Sequence, residues 1–423
     1  MRLALLDTGA ATPPVLWVAA FVSFLCFILS LALTSVAMGA FILIWVLIGL
    51  RLPACTVQAL LRSPLPWLLP LFAAVSVLWS DYPLTSGRNA AELMVTTGIA
   101  LIIAQTIDAR GFISAYMCAA LLACLASVAV GGTGAASSGS DVGLVGVFGS
   151  KNEFSTYTSF ALFCSAAVLL DRRQRTWLRW VAAFGVMLCP PLLWAGHSVG
   201  ALVSDVLVLS FFSGVLLIGA FDTRLRPVLV AGLFALAATC SALMAFVVTD
   251  RQFANLLAAV GKDTTFTGRT YLWFRAEQLI RVRPFAGVGY QAFWVQGNPE
   301  AEGLWRYAKI TSRHGFHFHN LFYETTIELG YFGLILLAAM VVATTTFSIR
   351  RLMTSWDVVS ALFVSILLFF ALRLYIEVDL LGPFAQGTFL LAVVWGYSTK
   401  PHRLGTAIVR NRNRPVFAVN AIS

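Results

Sequence analysis

The sequence predicts an all-α polytopic membrane protein with about twelve transmembrane helices and one long loop between the ninth and tenth. Three observations carry that expectation. Hydrophobic residues are 59% of the 423 and charged residues 11%, whereas an ordinary soluble domain carries about 25% charge. The mean hydropathy is +0.84, and the apolar residues gather into runs that approach the roughly 20 residues needed to cross a bilayer core. Finally, Lys and Arg fall in alternate short loops, as the positive-inside rule requires of a chain that crosses repeatedly.

Taken in order, the apolar runs are 14–34, 36–51, 64–80, 89–107, 112–131, 154–170, 178–196, 200–221, 227–249, 330–348, 357–377 and 384–398. The first exceeds the 7 to 15 apolar residues of a signal peptide and a second follows at once, so it reads as an uncleaved span. Arg51 and Arg62, Arg110, Arg172 to Arg179, Arg224 and Arg226, and Arg350 and Arg351 share one side if both termini are cytoplasmic. The opposite short loops hold mainly Arg88 and Lys151. The net charge of +10 then describes a cytoplasmic rim against anionic lipid, and nucleic acid is set aside as a partner. Trp67, Trp79, Trp177, Trp180, Trp194 and Trp395 lie near span ends, where indoles anchor in the headgroup layer. The seven cysteines sit in or beside apolar runs, which excludes a disulfide framework or a cysteine zinc site.

The chain thus reads as a single membrane domain over 1–423, with spans in 14–249 and 330–398, a loop over 250–329 and a basic cytoplasmic tail over 399–423. Gly131 to Ser150 is Gly/Ser-rich and predicts a flexible loop. Within the long loop, Tyr271, Leu272, Phe274, Leu279 and Ile280 recur at helical spacing before Arg283-Pro284, predicting an amphipathic helix over 267–281 at the outer surface.

Ionisable groups are costly inside apolar segments and usually face a cavity or a partner. Here they are Arg88, Lys151, His197, Asp205, Arg373 and Glu377, all on the outer halves of their spans. A transporter needs polar groups near the midplane, so the bias favours chemistry in an outward cavity. Each residue also has a plain structural reading. Arg373 and Glu377, four apart, can form an ion pair; Asp205 can be a satisfied buried carboxylate; Lys151-Asn152 can cap the sixth span or hold an anionic headgroup. His314, His317 and His319 cluster without a metal-binding spacing or a companion Asp, so no metal is expected. His319 is expected in the first turn of the helix leading into the tenth span, where the dipole disfavours an imidazolium. It reads either as an interfacial polar residue or as a general base.

His319-Asn320, nine residues, then Gly330-x-x-Gly333 resembles the signature of the bacterial O-antigen ligase family, which shares its fold with O-antigen and exopolysaccharide polymerases. Gly268, Arg269 and Trp273 resemble the G-R-x-x-x-W that opens the family's long loop. The P-F-A-G-V-G-Y of 284–290 is similar to its P-x-x-G-x-G segment. The G-S-K-N of 149–152 and the S-D-Y-P-L-T-S-G-R-N of 80–89 look closest to succinoglycan-type exopolysaccharide polymerases. One departure is that Val199, not Arg, follows Ser198, so a phosphate contact is lost or supplied by His197 or Lys151.

The resemblance implies metal-independent, inverting glycan transfer at the periplasmic face of the bacterial inner membrane. It requires no cofactor, takes a polyprenyl diphosphate-linked saccharide as donor, and takes a glycan or lipid A core as acceptor. A chain-length regulator is an expected partner. His319 and Arg269 are then the catalytic pair, with Lys151, Asn152, Arg88, Asn320, Arg373, Glu377 and His197 as substrate-binding residues. The polymerase reading leads, an O-antigen ligase is the alternative, and a transporter of lipid-linked glycan without chemistry is the third.

Overall fold

The computed structural model describes residues 12–135, 142–249, 265–313 and 315–400, and these are mostly helical. His314, residues 250–264 of the long loop and the tail from 401 onward lie outside the described residues. Each of the twelve apolar runs coincides with helix. Among the described residues, five helices are long and apolar enough to cross a membrane, or six if the bent pair Ser35–Arg51 and Pro53–Leu61 is one span.

The helix α1 (Pro14–Arg51) doubles back on itself. Trp45 Nε1 donates to Ser23 Oγ at 3.1 Å across 22 residues, a separation that a straight helix would stretch to about 33 Å. Phe27 and Phe41 stack across the same hairpin with centroids 5.1 Å apart. The span Pro14–Arg51 therefore holds two helical arms folded against each other, Pro14–Ser30 and Ser35–Arg51, matching the first two runs. The chain turns again by 108° into α2 (Pro53–Leu61), followed by α3 (Leu65–Val75), α4 (Pro83–Thr106) and α5 (Ala109–Val130). Asp108 caps α5 by accepting from Gly111 N at 3.1 Å, and Gly131 ends it at φ 72°.

The next four helices are α6 (Lys151–Leu170), α7 (Thr176–Ala195), α8 (Val199–Ile218) and α9 (Arg226–Thr249). Hydroxyls inside α6 bond back to its own carbonyls, Thr158 to Phe154 at 2.7 Å and Ser159 to Ser155 at 2.8 Å. This hides polar atoms where no water is available. Between α5 and α6 the expected flexible loop is partly ordered: β1 (Thr133–Ala135) pairs antiparallel with β2 (Val142–Leu144). Backbone pairing gives part of the order, and Leu144, Val147 and Phe148 add packing against the core.

Two cores result. The larger is aromatic: Phe160 and Phe163 of α6 meet Phe369 and Phe370 at centroid distances of 5.1 to 5.5 Å, and Phe24 and Phe27 surround Phe389. The smaller lies in a cap built from α10 (Thr265–Val282), α11 (Pro299–Tyr307) and the following loop. It packs Leu272, Ala276, Phe293, Leu304, Trp305 and Phe318. The expected amphipathic helix is present, but its face differs. Leu272 and Ala276 point into the cap core, whereas Tyr271 is 40% and Phe274 56% exposed.

The chain leaves the cap through α12 (Leu321–Ser355), then forms α13 (Val358–Arg373) and α14 (Gln386–Ser398). Gly330 breaks α12 with φ 65°. Its freed backbone groups are taken up by the strap 284–289: Tyr331 N donates to Pro284 O at 2.8 Å and Gly289 N to Glu328 O at 2.9 Å. A Cβ at Gly330 would overlap the carbonyl of Phe285, and one at Gly287 the carbonyl of Glu328. Both glycines are therefore required by close backbone approach. The strap also holds the start of α4, since Trp79 Nε1 donates to Ala286 O at 3.0 Å and Ser86 Oγ to Tyr290 O at 2.8 Å.

Candidate active site

The turn that precedes α12 is fixed residue by residue. The ring of Phe318 is buried in the cap core, its N–H donates to Glu324 Oε2 at 2.7 Å, and its carbonyl accepts from Trp273 Nε1 at 2.9 Å. Asn320 is the N-cap, accepting from Phe322 N and Tyr323 N at 3.0 and 3.2 Å. His319 thus stands one residue before the cap, not within the first turn, in a left-handed conformation with φ 53°. A non-glycine residue keeps such a conformation only where its surroundings impose it.

His317 is part of what imposes it. Its Nδ1 accepts the backbone N–H of His319 at 3.0 Å, and the two rings lie 4.2 Å apart. With Nδ1 accepting, the network assigns the proton to Nε2, which faces Glu377 Oε2 at 3.7 Å. Glu377 Oε1 in turn accepts from Asn152 Nδ2 at 3.0 Å, and Asn152 Oδ1 accepts from Ser198 Oγ at 3.4 Å. Side chains from α6, from the turn between α7 and α8, and from the segment after α13 therefore converge on the histidine turn.

Arg269 joins them from α10. Its Nη1 donates to Ile376 O at 3.2 Å, beside Glu377. The structure brings Arg269 and His319 into one cluster, close enough for the guanidinium to influence the imidazole. Burial, then His317 and Arg269, push the His319 pKa well below the ordinary histidine value. Burial pushes His317 down as well, against the opposing pull of Glu377. It also lowers Arg269, and Glu377 offsets part of that shift. Both imidazoles are therefore neutral at pH 7. The Nδ1 of His319 is shielded and has no hydrogen-bond partner in the structure, so a substrate hydroxyl would have to meet Nε2.

Arg373 lies deeper, 3% exposed. The expected Arg373–Glu377 ion pair is not formed. One last turn still closes between them, Glu377 N donating to Arg373 O at 2.9 Å, but the Glu377 carboxylate turns to Asn152 and His317 instead. Arg373 instead pairs with Asp379 at 2.9 Å and donates to Thr156 Oγ1 at 3.2 Å. Lys151 is not the cap of α6 either, because Ser150 Oγ accepts from Glu153 N at 3.2 Å. The Lys151 side chain lies along Gly143 of β2. His197 is exposed, at φ 50°, in the turn next to Ser198. Arg88 does not join the cluster: its side chain is 80% exposed and paired with Glu92 at 2.9 Å. Asp205 is buried and accepts from Ser159 Oγ at 2.9 Å.

His317, His319 and Glu377 offer donor atoms within 4.8 Å of one another and are the described residues that could hold a metal ion. Two features oppose that. The Nδ1 of His317 is already engaged by an N–H, and the Arg269 field that lowers both imidazoles also repels a dication.

Sequence reasoning missed His317, Asp379 and Glu324 as parts of this site. Glu324 and Glu328 carried a usable signal, two carboxylates one turn apart in an apolar stretch. Both are buried, at 2% and 1% exposed. Asp379 carried none, since its role depends on where α13 ends.

Residues 191–338 match the protein family described as O-antigen ligase. The chain is also 34% identical over 336 residues to the exopolysaccharide production protein ExoQ of Rhizobium meliloti (strain 1021), covering 79% of this chain and 76% of that protein.

Proposed function

This chain belongs to the O-antigen ligase and polymerase superfamily, and on that premise we propose that it polymerises exopolysaccharide or O-antigen from a polyprenyl diphosphate-linked donor at the periplasmic face. The observation that best supports this reading is the convergence of Arg269 and a neutral His319 on one cluster. In the proposed step the acceptor hydroxyl gives its proton to His319 Nε2, and its oxygen bonds to the anomeric carbon with inversion. The bond from that carbon to the diphosphate breaks, and the electron pair leaves with the polyprenyl diphosphate. Arg269 meets the developing charge, with Lys151 and His197 toward the far phosphate. Asn320 positions the turn, and Asn152, Glu377 and Arg373 form the frame around it rather than contacting the sugar first. Arg88 has no part in this step.

The chain acts without metal or cofactor in this reading, and both termini are cytoplasmic. A chain-length regulator is its proposed protein partner. The ligase reading is retained because the family match is described by that activity; the name of the 34% identical relative favours the polymerase. The test is purified protein with lipid-linked repeat units alone, without nucleotide or metal. The proposal expects a ladder of longer products that disappears in His319→Ala. Transfer only after lipid A core is added would make the chain a ligase, and no glycosidic product with either acceptor would overturn the reading.

A further inference from the structure

The cap carries a cavity of about 480 Å³ on the side of α11, away from the residues of the proposed step. That size lies within the range that holds a small organic ligand, about 300 to 1,000 Å³, and accommodates a short stretch of sugars. Its lining is mostly polar. Gln296 and Thr311 offer an amide and a hydroxyl, Arg306 and Arg313 offer guanidinium forks, and Glu302, Trp305, Ile310 and Ser312 complete the wall. Planar polar groups suit a saccharide, whose neighbouring hydroxyls both donate and accept.

Charge pairing around the cavity leaves one cation over. Trp305 is 1% exposed and forms the packed base of the wall. In addition, Glu302 is occupied by Arg313 at 3.3 Å and by Gly297 N at 3.3 Å, whereas the Arg306 guanidinium reaches only the Glu302 carbonyl, at 3.4 Å. One fork therefore remains without a carboxylate partner among the described residues.

The cavity is also coupled rigidly to the histidine turn. Trp305 packs on Trp294 at 5.9 Å, and Trp294 packs on Phe318 at 4.9 Å and on Phe316 at 5.1 Å. Phe316 in turn meets the His319 ring at 5.7 Å. Trp294 Nε1 donates to Glu324 Oε1 at 2.8 Å, the carboxylate that pins Phe318. A ligand gripped at Arg306, next to Trp305 in the chain, is thus held at a fixed offset from His319.

We propose that this cavity is a glycan subsite that grips a short stretch of the saccharide chain some distance from the reacting end. This rests on the glycosyltransferase reading for the identity of the ligand, but its test does not need turnover. The probe is lipid-free oligosaccharide, released by partial hydrolysis from the polysaccharide of the producing bacterium, titrated into full-length His319→Ala protein in nanodiscs by saturation-transfer NMR. Adding Arg306→Ala or Gln296→Ala, both exposed positions, is expected to weaken binding about fivefold each. Binding that both variants leave unchanged, or no binding to a preparation whose wild-type counterpart elongates glycan, overturns the subsite. Binding with the expected losses in a protein that forms no glycosidic bond would keep the subsite and discard the transferase reading. In wild-type background, Arg306→Ala raises KM for donor or for acceptor, according to which of them occupies the cavity.

Discussion

His317 Nδ1 accepts the backbone N–H of His319 at 3.0 Å, so one histidine holds the other in a left-handed turn. The ring that does so is held in its turn by Glu377 at 3.7 Å and, through it, by Asn152. His319 is therefore positioned by a relay that begins on α6.

The relay predicts a graded response at His317. His317→Asn retains an acceptor near the position of Nδ1 and is expected to keep substantial activity, whereas His317→Ala lowers kcat by about 10- to 100-fold with little change in KM. Steady-state kinetics on the two variants checks this, and equal losses in both would remove the N–H contact from the account.

The pH dependence follows from the lowered histidines. His319 stays neutral well below the ordinary value near 6.5, so kcat/KM is expected to be flat from neutral pH down through 6.5 and to fall only at lower pH. Between 6.5 and the depressed values the unfolded chain binds protons that folded His317 and His319 do not. Stability then rises with pH in that window and is lost as pH drops through it. Thermal melting of wild type against His319→Gln between pH 5 and 7.5 measures the effect, and a melting point that climbs on acidification would contradict it.

Arg269 contributes to that depression, so Arg269→Gln is expected to raise the His319 pKa even where turnover is lost. Histidine titration by NMR in the labelled variant supplies the readout. An unmoved titration curve would separate the two residues.

Arg373 is expected to fail structurally when its partner is removed. Asp379→Asn leaves a guanidinium with 4% side-chain exposure facing no carboxylate at 2.9 Å, which costs about 3 kcal/mol in comparable buried pairs. A lowered melting temperature before any change in residual kcat is the expected order of effects.

A chelator is expected to leave turnover unchanged, because the Arg269 charge opposes a cation among His317, His319 and Glu377. Loss of activity on chelation, restored by a stoichiometric metal, would reverse that assignment.

These effects also show how far the sequence could be read. The apolar runs as helices, and the Arg269 and His319 that the fold brings together, were legible because period, composition and motif act over short stretches. The Asn152 to Glu377 contact bridges 225 residues and leaves no local pattern. Arg373 and Glu377 misled for a specific reason: spacing of four allows an ion pair, but partners distant in the chain, Asn152 and His317, take the Glu377 carboxylate and Asp379 takes Arg373. Likewise Tyr271 and Phe274 are apolar at helical spacing yet lie on the exposed side, since spacing does not say which side the neighbours occupy. The two arms of α1 were legible as two apolar runs, but their contact through Trp45 and Ser23 was not.

The broken helix at Gly330 bears on how this protein can be recombined. Strap and helix meet there backbone to backbone, through Gly287 and Gly330, with no side chains between them to absorb a mismatch. Alanine at Gly330 is expected to lower stability by about 3 kcal/mol or more. A chimera that exchanges caps between relatives must therefore carry 284–333 as one inherited block and place its junctions outside it, because a crossover within would pair a strap and a helix that never evolved against each other.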